Sequence, residues 1–445
     1  MTTKISKKQK KISLIEAISI AVGTMIGASI FSIFGVGAEI AKQDLPETFL
    51  LSAFFAFAVA YSYTKLGKKI VSNAGPIAYI LKGFGDTVVT GSLSVLMWLS
   101  YVVSISLFAK GFSGYFLPLF GFSTTALSLG ITEAVVIAFF TALNFFGSKA
   151  VGKAEFYIVL IKLSILGLFI VVGLFAIKPD LIVPSFNVSH INGLIHASVI
   201  FFLSYMGFGL VTNISENMDN PEKNVPKAII ISIIIVSVIY VSVALVAVGN
   251  LPLKQLIASQ DNALAVAAKP FLGKFGFLLI SIGALFSISS ALNATLYGGA
   301  NTAYSFAKEG ELPEFFERKE WFGTNEGLYI TAGLGLLFAL LFNIGGIAAI
   351  TSSVFTVIYI FVLVSHLKII KEVGGNKGLV IINLTIISIV FLLLLYYQWL
   401  DQRSVFYGTI ITFAASFAVE YLYRKIKARE FKKIEFHKPK LMKED

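Results

Sequence analysis

The sequence predicts an all-α polytopic membrane protein of 12 transmembrane helices, and three observations lead there. Its 445 residues are 56% hydrophobic and only 14% charged, with a mean hydropathy of +0.83. That is more apolar surface than a soluble domain can bury. Apolar runs of about 20 residues, the length of a bilayer-crossing helix, recur along the whole chain, and the basic residues fall mainly in alternate connections between them.

Taken in order, the spans are expected at 14–41, 46–64, 87–117, 129–148, 154–177, 192–217, 228–250, 275–305, 328–343, 346–367, 379–398 and 404–423. The first is preceded by a basic tail, residues 1–13. No small-residue cleavage pattern follows the tail, so no removable signal peptide is expected and the first span stays. With a cytoplasmic N-terminus, only Lys42, Lys178, Lys254, Lys269, Lys274 and Arg403 are outer among the 36 Lys and Arg, and Lys110 and Lys162 lie inside spans. The remainder are inner. This is the positive-inside pattern with both termini cytoplasmic, and it accounts for the net charge of +11 without a nucleic-acid partner. The predicted location is the cell (plasma) membrane, with the lipid bilayer as a partner. The tail 424–445 reads as a solvated basic anchor, with contact to anionic lipid as the alternative.

Span one contains AVGTMIGASIF, Ala21 to Phe31, with Gly23, Gly27 and Ser29 at its middle. Span six contains Tyr205, Gly207 and Gly209 in the corresponding place. Glycine is common in membrane helices because it permits close packing, and Gly23 and Gly27 have GxxxG spacing. Their matching positions in spans 1–5 (14–177) and 6–10 (192–367) favour two inverted five-helix units, each opened by an interrupted helix, with 379–423 outside the repeat. The connection Tyr61 to Asp86, with Gly75 and Pro76, suits a re-entrant or interfacial segment; Leu251 to Phe271 suits a short cap across the outer face.

Opening a helix in hydrocarbon exposes backbone N–H and C=O groups that cost several kcal/mol each unless something satisfies them. A zwitterion does so. Its carboxylate would take the free N–H groups at Gly27, Ala28 and Ser29, and its ammonium the free carbonyls around Phe202, Leu203 and Tyr205, with Gly207 of the same break in the substrate-binding set. An amino-acid substrate is therefore expected. Phe201 is a candidate aromatic gate, and Glu216, beside Asn220 and Pro221, a candidate inner gate or loop anchor.

GTMIGASIF resembles the GxxIGxGIF signature of amino-acid permeases of the APC superfamily. SYMGFG followed by ENMDNPEKNVPKAI (Glu216 to Ile229), and AKEGELPEFF (Ala307 to Phe316), resemble that family's span-six and loop motifs in the right order. The resemblance implies a LeuT-like 5+5 inverted repeat with broken helices 1 and 6, and secondary active transport by alternating access. Many relatives have an acidic residue where this chain has Gly209, so no function of that carboxylate carries over.

Lys162 lies about two turns, roughly 12 Å, into span five, and no Asp or Glu is expected at mid-membrane. One reading is a lysine that snorkels to the interface. The other is a proton carrier, because apolar burial favours the neutral amine and lets a lysine exchange its proton. In sodium-coupled relatives an ion lies between spans one, five and eight. By resemblance the Lys162 ammonium replaces it, held by the Gly23 carbonyl and Ser287, which makes protons the coupling ion. Lys110 reads as a lysine that snorkels outward, and Ser289 and Ser290 as helix back-bonding hydroxyls.

There are no cysteines, and His190, His196, His366 and His437 match no metal spacing. No cofactor, no metal and no obligate protein partner are expected. No nucleophile cluster or P-loop supports an enzyme, and no filter-like loop a channel. The expectation is proton symport of small neutral amino acids, with sodium coupling, exchange, or an amino-acid sensor of the same fold as alternatives.

Overall fold

The computed structural model describes residues 11–144, 151–182, 188–308, 316 and 326–427. Several sequence expectations therefore lie outside the described residues: the first ten residues, positions 145–148 of the expected fourth span, positions 309–315 of AKEGELPEFF, and the tail beyond 427 with His437.

Local chemistry sets the helix ends. Ser13 and Glu16 form a capping box that starts α1 (Leu14–Met25). Two short helices continue the span, α2 (Ala28–Ser32) and α3 (Phe34–Ala41). Proline in the first turn, where its missing N–H costs nothing, opens α4 (Leu45–Lys69), α5 (Pro76–Phe84) and later α11 (Pro221–Asn250). Thr87 caps α6 (Val88–Leu119) and Thr125 caps α7 (Ala126–Leu143). Next come α8 (Val151–Leu174), α9 (Val188–Phe201), a 3-10 segment Phe202–Gly209, and α10 (Leu210–Asn213). The short helices α12 (Leu253–Ala258) and α13 (Ala263–Ala267) precede α14 (Lys269–Lys308), which is kinked at Gly273 (φ 60°). The chain ends with α15 (Glu326–Leu341), α16 (Ile344–Lys368), α17 (Ile370–Val373), α18 (Lys377–Asp401) and α19 (Arg403–Lys427).

Among the described residues 11 helical stretches are long and apolar enough to cross a membrane, and the shorter apolar helix Gly327–Leu341 occupies the place of the ninth expected span. This is a polytopic, all-helical membrane protein. The connection expected to hold an interfacial segment contains α5, and the expected cap is α12 with α13.

The interrupted helices lie at the centre, packed on α4, α6, α11, α14 and α16. Large apolar side chains that remain exposed belong to the periphery, such as Leu127, Ile131 and Phe139 of α7 and Leu392 and Leu400 of α18. Such faces suit hydrocarbon, where apolar exposure costs nothing.

The bundle has two ends. On the terminal face Ile12 pairs with Met218, and Arg424 of α19 bonds Asp86. On the far face the cap closes over α3 and α6. Gly35 leaves no room for a Cβ against the backbone of Gln260, and Gly114 none against Asp261.

Candidate functional site

The first break sits at Ile26 and Gly27, narrower than the Gly23 to Ser29 window expected from sequence. Gly27 has φ −91° and ψ −122°, outside helical geometry. A Cβ there would lie 3.0 Å from the Thr24 carbonyl and 3.5 Å from Ala291, so α14 approaches closely. A second interruption at Ile33 had no sequence signal.

Side chains from other helices fill the carbonyls that the break releases. The Lys162 ammonium of α8 donates to the Gly23 carbonyl. The Tyr240 hydroxyl of α11 donates to the Met25 carbonyl, which Ser29 Oγ also approaches, at 3.0 Å. Ser287 Oγ of α14 donates to the Ile26 carbonyl at 3.0 Å. Lys162 is only 2% exposed, so its side chain turns inward rather than snorkelling to the interface.

The second break is not free coil but the 3-10 segment Phe202–Gly209. Carbonyls next to it are also taken from outside: Ser198 by Ser52 at 2.9 Å and Val199 by Ser352 at 2.7 Å. Within it, the Ser204 carbonyl lies 3.3 Å from the Tyr240 hydroxyl and the Met206 carbonyl 3.4 Å from the Tyr359 hydroxyl. The two breaks touch at Gly207, where a Cβ would stand 2.8 Å from the backbone nitrogen of Met25.

A cavity of about 120 Å³ opens between the breaks. Ser29, Leu203, Ser204, Gly207 and Gly209 line it with Ser100, Ser104, Thr295 and Thr351, and its apolar wall includes Met97, Phe108, Phe355 and Ile358. None of its lining residues is charged. The Ser204 hydroxyl is buried and makes no hydrogen bond among the described residues. Gly27 and Ala28 form the backbone at the break beside Ser29. Phe202 and Tyr205 turn away from the cavity: Phe202 packs on Phe55, and the Tyr205 hydroxyl donates to the Phe49 carbonyl at 3.0 Å. Phe201 lies in a buried aromatic layer, edge-on to Phe49 at 4.9 Å and against Gly37.

That layer separates the central cavity from a second one of about 500 Å³ on the far face, lined by Gly35, Ile200, Gln260, Asp261, Asp401 and others. Ile30, Phe31, Ile33, Phe34, Phe201 and Phe202 between them are fully buried. Lys110 lines the far cavity. Its Nζ is 3.2 Å from Glu133 Oε1, and Glu133 is 2% exposed, about two turns in from the start of α7. Asp261 in the cap faces the same pair. Burial raises its carboxyl from 3.8 to about 6, Lys110 opposing that rise and Glu133 adding to it.

On the terminal face Glu216 is a loop anchor. Asn73 N donates to Glu216 Oε1 and Glu216 N to Asn73 Oδ1, each at 3.1 Å, beside a matching pair between Ser72 and Ser215. His190 and His196 pair with Asp44 (2.9 Å) and Asp401 (3.3 Å), whereas His366 is buried between Ser62 and the Gly374 carbonyl. No group of acidic or histidine side chains that could hold a metal ion occurs among the described residues. Sequence reasoning missed Tyr240, Ser204 and the Glu133–Asp261 pair. Tyr240 carried a signal, as the one aromatic residue in the aliphatic run of α11.

The amino acid permease family matches residues 12–417. An uncharacterised protein of Methanocaldococcus jannaschii is 65% identical over 95% of this chain and 98% of its own length. The Escherichia coli inner membrane transport protein YbaT is 29% identical, covering 90% of this chain and 93% of its own. A Bacillus subtilis methylthioribose transporter is also 29% identical, covering 82% and 84%.

Proposed function

This chain belongs to the amino acid permease family, a family of transporters rather than enzymes, and from that premise we propose that it imports amino acids by proton symport. The observation that carries the reading is the Lys162 ammonium, buried in the bundle and donating to the Gly23 carbonyl just before the first break. A protonated Lys162 ties α8 to α1. Loss of the proton removes the charge that strengthens this bond and frees α1 to move. Ser287, on the Ile26 carbonyl, brings α14 to the same turn, where sodium-coupled relatives hold an ion.

The substrate occupies the central cavity. Backbone N–H groups at Gly27, Ala28 and Ser29 receive the carboxylate, and carbonyls of the second break, with Leu203 and Gly207 beside them, receive the ammonium. An uncharged cavity of this size suits small neutral amino acids such as alanine or serine. The architecture behind this is a LeuT-like pair of inverted five-helix repeats, 14–177 and 192–367, with 379–423 outside them. The buried layer that contains Phe201 closes the far side, and Glu216 clamps the near side. The terminal face is cytoplasmic and the bilayer is the plasma membrane. Among family members the reading places this chain beside ApcT, the archaeal proton-coupled transporter of broad specificity.

Uptake into proteoliposomes under an imposed pH or sodium gradient is the test. Wild-type protein should accumulate alanine with the pH gradient alone. Lys162→Ala should leave a folded protein whose uptake is lost or no longer follows pH. Uptake driven by sodium, or proton dependence retained without Lys162, overturns the proposal.

A further inference from the structure

Tyr240 is fully buried in α11 and is absent from the lining of the central cavity, yet its hydroxyl reaches both broken helices. It donates to the Met25 carbonyl in the first break, stands 3.2 Å from Ser29 Oγ, and stands 3.3 Å from the Ser204 carbonyl in the second. Its ring is held by Phe49 at 5.1 Å and Tyr205 at 5.5 Å. A phenol has one hydrogen to give. That hydrogen is shared between the Met25 carbonyl and, as the longer and weaker arm, the Ser204 carbonyl, and the second lone pair of the Ser204 carbonyl is left to accept from a substrate ammonium on the cavity side.

We propose that Tyr240 is the positioning residue of the site: from behind the wall it sets the separation between the backbone that reads a carboxylate and the backbone that reads an ammonium. Deepening the functional reading above, this assigns substrate affinity to a residue that does not touch substrate. Backbone recognition has no side chain to adjust, so the spacing of the two breaks is its only tolerance. One hydroxyl bonded to both breaks holds that spacing more tightly than two independent anchors would. Position matters because reacting or binding groups displaced by a fraction of an ångström lose much of their interaction.

Tyr240→Phe removes the hydroxyl and keeps the ring packing. Two measurements on the purified full-length protein test the proposal. Amide hydrogen exchange without ligand should rise at both breaks, residues 24–29 and 202–209, since each loses a bond to the same group. In proteoliposomes the KM for alanine should rise about tenfold with the maximal rate little changed, the pattern of lost uniform binding. Ser29→Ala, which removes the partner hydroxyl and leaves the ring, should move both readouts the same way by less. It also serves if the Phe variant is poorly recovered. The double variant should fall short of the sum, because the two groups share one node.

Faster exchange at one break alone, an unchanged KM, or additive effects overturns the assignment. If wild-type protein takes up no amino acid, the functional reading fails, and the exchange arm still decides whether Tyr240 joins the breaks.

Discussion

At the scale of single residues, the glycines of span six separate by what lies beside them. Gly207 faces the backbone of the opposite break at 2.8 Å, whereas at Gly209 a Cβ would meet only the Tyr63 ring at 3.5 Å, an ordinary contact. Gly207→Ala must therefore push the breaks apart, at about 1–3 kcal/mol for overpacking. Initial uptake rates should fall steeply in that variant and stay near wild type in Gly209→Ala, with melting temperature as the control. Equal effects would show that Gly207 serves general helix packing. Both glycines stood out in the sequence, but their different surroundings did not, because the neighbours of Gly207 are about 180 residues away in the chain. Lys162 was legible as a charge in an apolar run. Tyr240 was visible as an isolated aromatic, and only its placement between two carbonyls gave it meaning.

At the scale of elements, the cap formed by α12 and α13 is the clearest case of local pattern becoming a working part. Its amphipathic sequence places a short helix on a surface, and its tip, Gln260 and Asp261, fits where α3 and α6 have glycine. Asp261 faces Lys110 from α6 and Glu133 from α7, with Tyr115 of α6 nearby. Its carboxyl is raised, so the folded cap prefers the protonated form. That contribution is present below about pH 4 and is lost as pH rises through about 6. Amide protection across Leu253–Ala267, corrected for intrinsic rates, should accordingly fall over that interval, and Asp261→Asn should abolish the fall. A pH-dependent loss that persists in Asp261→Asn would assign it to another group. Sequence reading placed this cap but gave Lys110 no acidic partner, because Glu133 comes from a different helix.

At the scale of the whole molecule, the central cavity has an uncharged lining and the far-face cavity a charged one, and fully buried residues divide them. Burying an unpaired charge costs far more than burying a small neutral side chain. In counterflow assays alanine and serine should compete for the central cavity, while arginine and glutamate should not. Competition by arginine equal to that by alanine would mean that the far cavity, with its carboxylates, takes part in selection.

The sequence by itself determined that this chain crosses a membrane many times, roughly where its spans lie, and that spans one and six are weakened at their centres. Those properties follow from composition, capping chemistry and glycine placement, all of which act within about 20 residues. Tertiary structure alone decided which side chain satisfies each released carbonyl, that Lys110 turns toward Glu133, and that the second break is a 3-10 segment rather than open coil. Such choices rest on contacts between helices far apart in the chain. A buried polar group takes whatever partner packing brings within about 3 Å, and no local pattern encodes that partner.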